Sequence, residues 1–198
     1  MKKLLLILLC LPLLFGCGRE AKTIETDKEK KDVQFVVSDD FIPVDNETYI
    51  NAFMESASLL NLSEKEQVDL INRNRKMIEM YAKMGAEDMS ENMVIKKTES
   101  IASQKELNYL VEQLKEKGGR ADEISPVEVE LISSGNKKYK NKYNYFEIVS
   151  KIDASEQIIN SRYNAMYSID ISNNYYQIFL NTNIRTDIDD VIVNILIQ

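Results

Sequence analysis

The spacing of apolar residues changes several times along this chain, and each change marks an expected element. Leu4 to Phe15 is a nearly unbroken apolar run behind Lys2 and Lys3, closed by Gly16-Cys17. From Gly18 to Asp32 the chain is charged and almost without apolar residues. Val33-Gln34-Phe35-Val36-Val37 is a β-prone run, an edge strand or a clasp. Phe41-Ile42-Pro43-Val44 stays extended because a proline keeps its predecessor out of the helical region. The period then lengthens. Asp45 or Asn46 can cap a helix that puts Ile50, Phe53, Met54, Ala57 and Leu60 on one face at steps of three and four. Ser63-Glu64-Lys65-Glu66 has the capping-box pattern and opens a second helix, expected to run to about Met84 with Val68, Ile71, Ile78 and Tyr81 along its stripe and Gly85 as its stop. Residues 86–102 carry no clear period and read as a loop or short helix. A second capping box, Ser103 to Glu106, precedes a clean stripe of Leu107, Leu110, Val111 and Leu114, which Gly118-Gly119 ends.

After Pro126 the period drops to two. Val127, Val129 and Leu131 alternate with glutamates, Ser133-Ser134-Gly135-Asn136 has turn chemistry, and Tyr139, Tyr143 and Tyr145 alternate with polar residues, so a hairpin is expected. Asp153 to Glu156 is a second turn candidate. Tyr163, Ala165, Tyr167, Ile169 and Ile171 alternate without a break, and Ser172-Asn173-Asn174 turns the chain into Tyr176, Ile178 and Leu180. Val191 to Ile197 closes the chain as a fifth strand or a buried helix end. Helices first and an antiparallel meander after predict an α+β domain, N-terminal helices packed on a C-terminal antiparallel sheet of four or five strands. From about Asn46 to Ile197 this element order resembles that of the cystatin-like and NTF2-like folds, which implies helices lying in the concave face of a curved sheet.

The first seventeen residues set the expected location. A short basic start, an apolar core of about a dozen residues and a small residue before the cut make a secretory signal, too short for a lasting membrane span and interrupted by Pro12. Leu14-Phe15-Gly16-Cys17 resembles the lipobox of bacterial lipoproteins, with Phe15 departing from the small residue usual before the glycine. The resemblance implies cleavage before Cys17 and lipidation of its sulfur. The plain alternative is an ordinary secretory cut that leaves Cys17 a free thiol. Three parts are therefore expected: a signal peptide over 1–16, a lipidated cysteine with a charged tether over 17–32, and one extracytoplasmic domain over 33–198. Five basic and five acidic residues between Gly18 and Asp32 bury too little to order the segment, which would hold the domain about 20 Å from the lipid as a flexible chain.

Composition narrows the chemistry. The whole chain has 25 basic and 32 acidic residues; without the two lysines of residues 1–16 the remainder has 23 and 32, a charge of −9. Nucleic acid is not the expected partner of such a chain. Cys17 is the only cysteine after the signal, so no intramolecular disulfide is expected. Histidine is absent, which removes the Ser-His-Asp and Cys-His triads and the commonest zinc ligand, and the six glycines form no phosphate-binding loop. Carboxylate-pair and Ser-Lys mechanisms survive this filter without a local motif. No catalytic residue, cofactor or metal site is assigned, and a non-enzyme is expected.

Three clusters have a functional reading beside a plain one. Met77, Met80, Met84, Met89 and Met93 could make an adaptable partner surface or a soft-metal site, but without cysteine or histidine beside them they read as gap-fillers. Lys137 to Phe146 mixes cations and aromatics as an anion-binding surface does; the plain reading is a hairpin whose lysines blunt an edge and whose tyrosines pack. Asp187-Ile188-Asp189-Asp190 offers oxygens to a hard cation but lacks the spacing of a calcium loop, and reads as an acidic turn.

The resulting functional expectation is a membrane-anchored lipoprotein acting as a non-catalytic interaction or assembly module at the cell surface or periplasm, with a protein partner in the envelope. NTF2-like domains serve secretion and conjugation machines, which is one form such a module takes. The alternative is a solute-, lipid- or wall-polymer-binding lipoprotein with a cavity lined by Tyr163, Tyr167 and Tyr176.

Overall fold

A computed structural model describes residues 32–45, 48, 63, 65, 66, 68, 69, 78–86, 90–117, 129–153 and 162–198. Elements with described bounds are nine strands, β1 (Val33–Val37), β2 (Phe41–Pro43), β3 (Ile78–Lys83), β4 (Asn92–Thr98), β5 (Val129–Tyr139), β6 (Tyr143–Ile152), β7 (Arg162–Ile171), β8 (Asn174–Thr182) and β9 (Ile192–Ile197), and two helices, α1 (Gln104–Lys117) and α2 (Ile188–Val191). Seven strands form an antiparallel sheet in the order β2-β3-β4-β8-β7-β6-β5, and β1 pairs with β9 in a separate two-stranded ribbon.

The ribbon lies on one face of the sheet. Phe35, Ile192 and Ile195 from the ribbon and Ile188 and Val191 from α2 are buried together with Tyr145, Tyr167, Ile169, Tyr176, Ile178 and Leu180 of the sheet. α1 covers part of the other face, setting Leu107 and Val111 against Phe146 and Ile148. The layers are thus ribbon, sheet and helix. The middle strands are covered on both sides, which is why β6 shows six consecutive buried residues from Tyr145 to Ser150.

The α+β expectation is overturned. Strands come before, between and after the helices, and the element order that suggested cystatin-like and NTF2-like folds is not the order of this chain. The second expected helix begins as its capping box requires: the Ser63 amide donates to Glu66 Oε2 at 2.8 Å, and Glu66 is helical. It does not reach Met84, because Ile78 to Lys83 is strand β3, with Ile78 and Met80 buried and Glu79 exposed between them. Residues 92–98, read as loop or short helix, form β4 between β3 and β8. The Ser133-Asn136 turn is also corrected. β5 runs through those residues to Tyr139, accommodated by a bulge between Leu131 and Ser133 and by Gly135 at φ 151. The true turn has Lys140 and Asn141 at φ 43 and 59, and the Lys142 amide donates to the Tyr139 carbonyl at 2.8 Å. Val191 to Ile197 does yield a strand, but β9 joins β1 and not the main sheet. The expected first helix and the Asp153-Glu156 turn lie almost wholly outside the described residues; at the helix start, the Thr48 amide donates to Asp45 Oδ1 at 3.0 Å.

Two expected elements form as their local chemistry dictates. Ser172 and Asn173, at φ 54 and 64, make a two-residue hairpin turn between β7 and β8, and the Asn173 amide donates to Asp170 Oδ1 at 3.0 Å. α1 starts with a complete capping box: the Ser103 amide and hydroxyl donate to Glu106 Oε2 at 2.8 and 2.7 Å, and the Glu106 amide donates to Ser103 Oγ at 3.3 Å. These bonds hold the Glu106 carboxyl below its usual range. Ser103→Ala should cost about 1 kcal/mol of stability in a denaturant titration, with Ser103→Asp restoring most of it. A loss within 0.2 kcal/mol would mean that the cap adds nothing to a helix already held by Leu107 and Val111; the smallest effects seen for such caps are about 0.5 kcal/mol.

Candidate functional site

The basic-aromatic segment 137–146 is the β5–β6 hairpin, and the structure divides it by strand period. Tyr139, Tyr143 and Tyr145 point into the core beneath the ribbon, whereas Lys138, Lys140 and Lys142 are exposed. The Tyr139 and Tyr143 rings lie 6.5 Å apart and nearly parallel, and Tyr145 meets Tyr167 edge to face at 5.6 Å. Lys140 Nζ stands 5.5 Å above the Tyr139 ring and Lys142 Nζ 4.9 Å above the Tyr143 ring.

Hydrogen bonds fasten this hairpin to the ribbon. The buried Tyr139 hydroxyl donates to the Ile192 carbonyl at 2.6 Å, and Lys140 Nζ donates to the Val193 carbonyl. One turn farther into the sheet, Glu147 is almost fully buried and accepts at Oε1 from Lys137 Nζ at 2.6 Å and from Ser133 Oγ at 3.0 Å. Glu147 was not singled out from sequence, although period two from Tyr143 and Tyr145 puts it on the inward face, where a carboxylate needs a cation. That inward acid is the signal that could have found the pair.

Burial sets the tyrosine chemistry. Desolvation, followed by coulombic effects of Asp189 and Tyr143, pushes Tyr139 up to about 12; desolvation, then Glu147, Asp189 and Asp187, does the same for Tyr145. Tyr167 and Tyr176 are raised for the same first reason. A phenol whose folded pKa lies above the unfolded value of about 10 contributes its stability fully below pH 10 and loses it as pH rises toward 12. The urea midpoint should therefore be level up to pH 9 and fall between pH 10 and 12. A midpoint that stays level through pH 12 would contradict this packing.

The other sequence candidates are placed as follows. Tyr167 and Tyr176 lie on the sheet face under the ribbon, and the Tyr176 and Phe35 rings meet edge to face at a centroid distance of 4.9 Å. Tyr163 shares that face but is half-buried near the opposite end of β7, so the three tyrosines do not converge. Met80 and Met93 are buried gap-fillers, Met84 is exposed, and Met77 and Met89 lie outside the described residues. Asp187 precedes α2 without a side-chain cap bond, and Asp189 and Asp190 occupy its first turn, where the helix dipole favours acids. Among the described residues no three Asp, Glu, Cys or His side chains are grouped to hold a metal ion. Cys17 lies outside the described residues. Among the described residues no helix is long and apolar enough to cross a membrane.

No protein-family model and no curated protein matches the chain. Among solved structures it is similar to the solution structure of a cyanobacterial PsbP from Synechocystis, at 11% identity and a TM-score of 0.40 over 83% of this chain and 87% of that one.

Proposed function

We propose that this chain is a lipid-anchored, extracytoplasmic interaction module without catalytic activity, tied to the membrane through Cys17 and offering its domain to a protein of the envelope. The observation that carries this reading over a ligand cavity is the use of the aromatic face. Tyr139, Tyr145, Tyr167 and Tyr176 are consumed as packing beneath the ribbon, with Phe35 seated on Tyr176, so two of the three tyrosines expected to line a solute site, Tyr167 and Tyr176, are already covered by the chain's own residues, and the third, Tyr163, stands apart from them. The anchor follows from the lipobox resemblance at Leu14 to Cys17.

The test is crosslinking in living cells of the tagged chain and its Cys17→Ala variant, followed by mass spectrometry of the membrane fraction. A lipid-modified Cys17 and a reproducible protein partner that weakens in the variant are expected. An unmodified Cys17 removes the anchor, and a lipidated chain without any partner removes the interaction role.

A further inference from the structure

The β5–β6 turn carries Lys138, Lys140 and Lys142 on a chain whose formal charge is −7. Among the described residues none of the three is paired with a carboxylate, although Lys137 and Lys151, on the same two strands, each have one. Asp189 is near enough to raise the Tyr139 phenol and still forms no ion pair with the turn. The contacts that Lys140 and Lys142 do make are with a carbonyl and two aromatic rings and not with a carboxylate.

This turn and the point where the chain enters the domain belong to one end of the sheet. Asp32 lies within electrostatic range of Tyr176 and is held by the Gln198 amide, which donates to its carbonyl at 2.9 Å. Tyr176 pairs with Ile169, Ile169 with Tyr145 and Tyr145 with Lys137, so one row of residues leads across the sheet from Tyr176 to the base of the turn. Three strand spacings of about 4.8 Å put the base of the turn about 14 Å from Tyr176. Val193 and Leu196, 46% and 40% exposed on β9, lie beside the same end.

We propose that the β5–β6 turn docks on anionic lipid headgroups of the membrane to which the chain is anchored, holding the ribbon end of the domain toward the bilayer. This rests on the anchor reading. The sixteen peptide steps from Cys17 to Val33 span at most about 55 Å, so the lysines never leave the neighbourhood of their own membrane. Clustered lysines are attracted to phosphate-bearing headgroups over about a Debye length, and exposed Val193 and Leu196 suit the headgroup boundary. A freely tumbling tethered domain would be converted into an oriented one.

The chain contains no tryptophan, so Val193→Trp supplies a single reporter at the proposed contact. The intact lipidated chain with this change is placed in nanodiscs whose headgroups carry a nitroxide quencher, either zwitterionic or containing about a third phosphatidylglycerol. Quenching is expected in the anionic discs alone. It should fall to the zwitterionic level in the Lys138→Glu/Lys142→Glu variant, which leaves the Lys140 contact intact, and at salt on the order of 1 M, where the Debye length is about 3 Å. Lys138→Gln/Lys142→Gln should lie between. Quenching that ignores lipid charge or these substitutions overturns the proposal. So does a reporter that stays unquenched in anionic discs but shifts its emission with soluble polyphosphate, which would assign the lysines to wall polymers. A chain that carries no lipid and fails to enter discs overturns the anchor reading instead.

Discussion

Phe35→Ala should lower the unfolding free energy by about 3 to 5 kcal/mol. Phe35 is 8% exposed, packed between the ribbon and the sheet, and it meets Tyr176 edge to face at 4.9 Å. Its removal deletes both the transferred apolar area and the aromatic contact, and the cavity left behind is walled by rigid strands that cannot collapse around it. β1 is also an outer strand, paired through Phe35↔Ile195 and its neighbours to β9 alone, so loosening it uncovers the sheet face that holds Tyr176, Ile178 and Ile169. A denaturant titration with Gln34→Ala as control separates burial from strand pairing: Gln34 is exposed opposite Leu196, and its substitution should stay within about 0.5 kcal/mol. A Phe35→Ala loss below 1 kcal/mol would mean that the ribbon is not seated on the sheet, because aromatic truncations in a packed core cost at least about 3 kcal/mol.

The same ribbon explains what could and could not be read from the sequence. Signals that act within four residues were legible: the Ser103-Glu106 cap needs no distant partner, nor does the Ser172-Asn173 turn. Val33 to Val37 was also legible as a strand, but its partner lies more than 150 residues away, and no local pattern specifies Val33↔Ile197 pairing. The errors have distinct physical causes. Ile71, Ile78 and Tyr81 are spaced as a helix face would be, yet Ile78-Glu79-Met80 also alternates, and sheet pairing with β4 decided between the two periods. β4 begins with five consecutive buried residues, Asn92 to Lys96, because both of its faces are covered; a strand buried on both sides shows no period at all. Ser133 to Asn136 has turn composition, but Gly135 serves there to let a long strand bend, and the reversal was given to Asn141, which tolerates positive φ. The lysines and tyrosines of the hairpin were legible as a mixed cluster. Their division into an inward aromatic row and an outward basic tip required the register of β5 on β6.

Lys137→Ala should cost about 1 to 3 kcal/mol, more than Glu147→Gln, although both substitutions break the same ion pair. The asymmetry follows from burial. The Glu147 side chain is 2% exposed and the Lys137 side chain 45%, so the lysine released by Glu147→Gln can return to water, whereas the carboxylate abandoned by Lys137→Ala remains under the ribbon with the Ser133 hydroxyl as its described side-chain donor. An amide at 147 keeps the shape of the site and can still accept from Ser133. The double variant Lys137→Ala/Glu147→Gln should therefore be more stable than Lys137→Ala alone, with a coupling of about 0.5 to 3 kcal/mol in a double-mutant cycle. Because Lys137 is on the outermost strand, the loss should fall on β5 first: amide exchange from Ser133 to Lys138 should accelerate in Lys137→Ala while exchange in β7 and β8 stays slow. Equal costs for the two single variants would show that the pair is solvated like a surface bridge. A cost confined to Glu147→Gln would reverse the argument, making the carboxylate a necessary acceptor for Ser133 and the lysine a bystander.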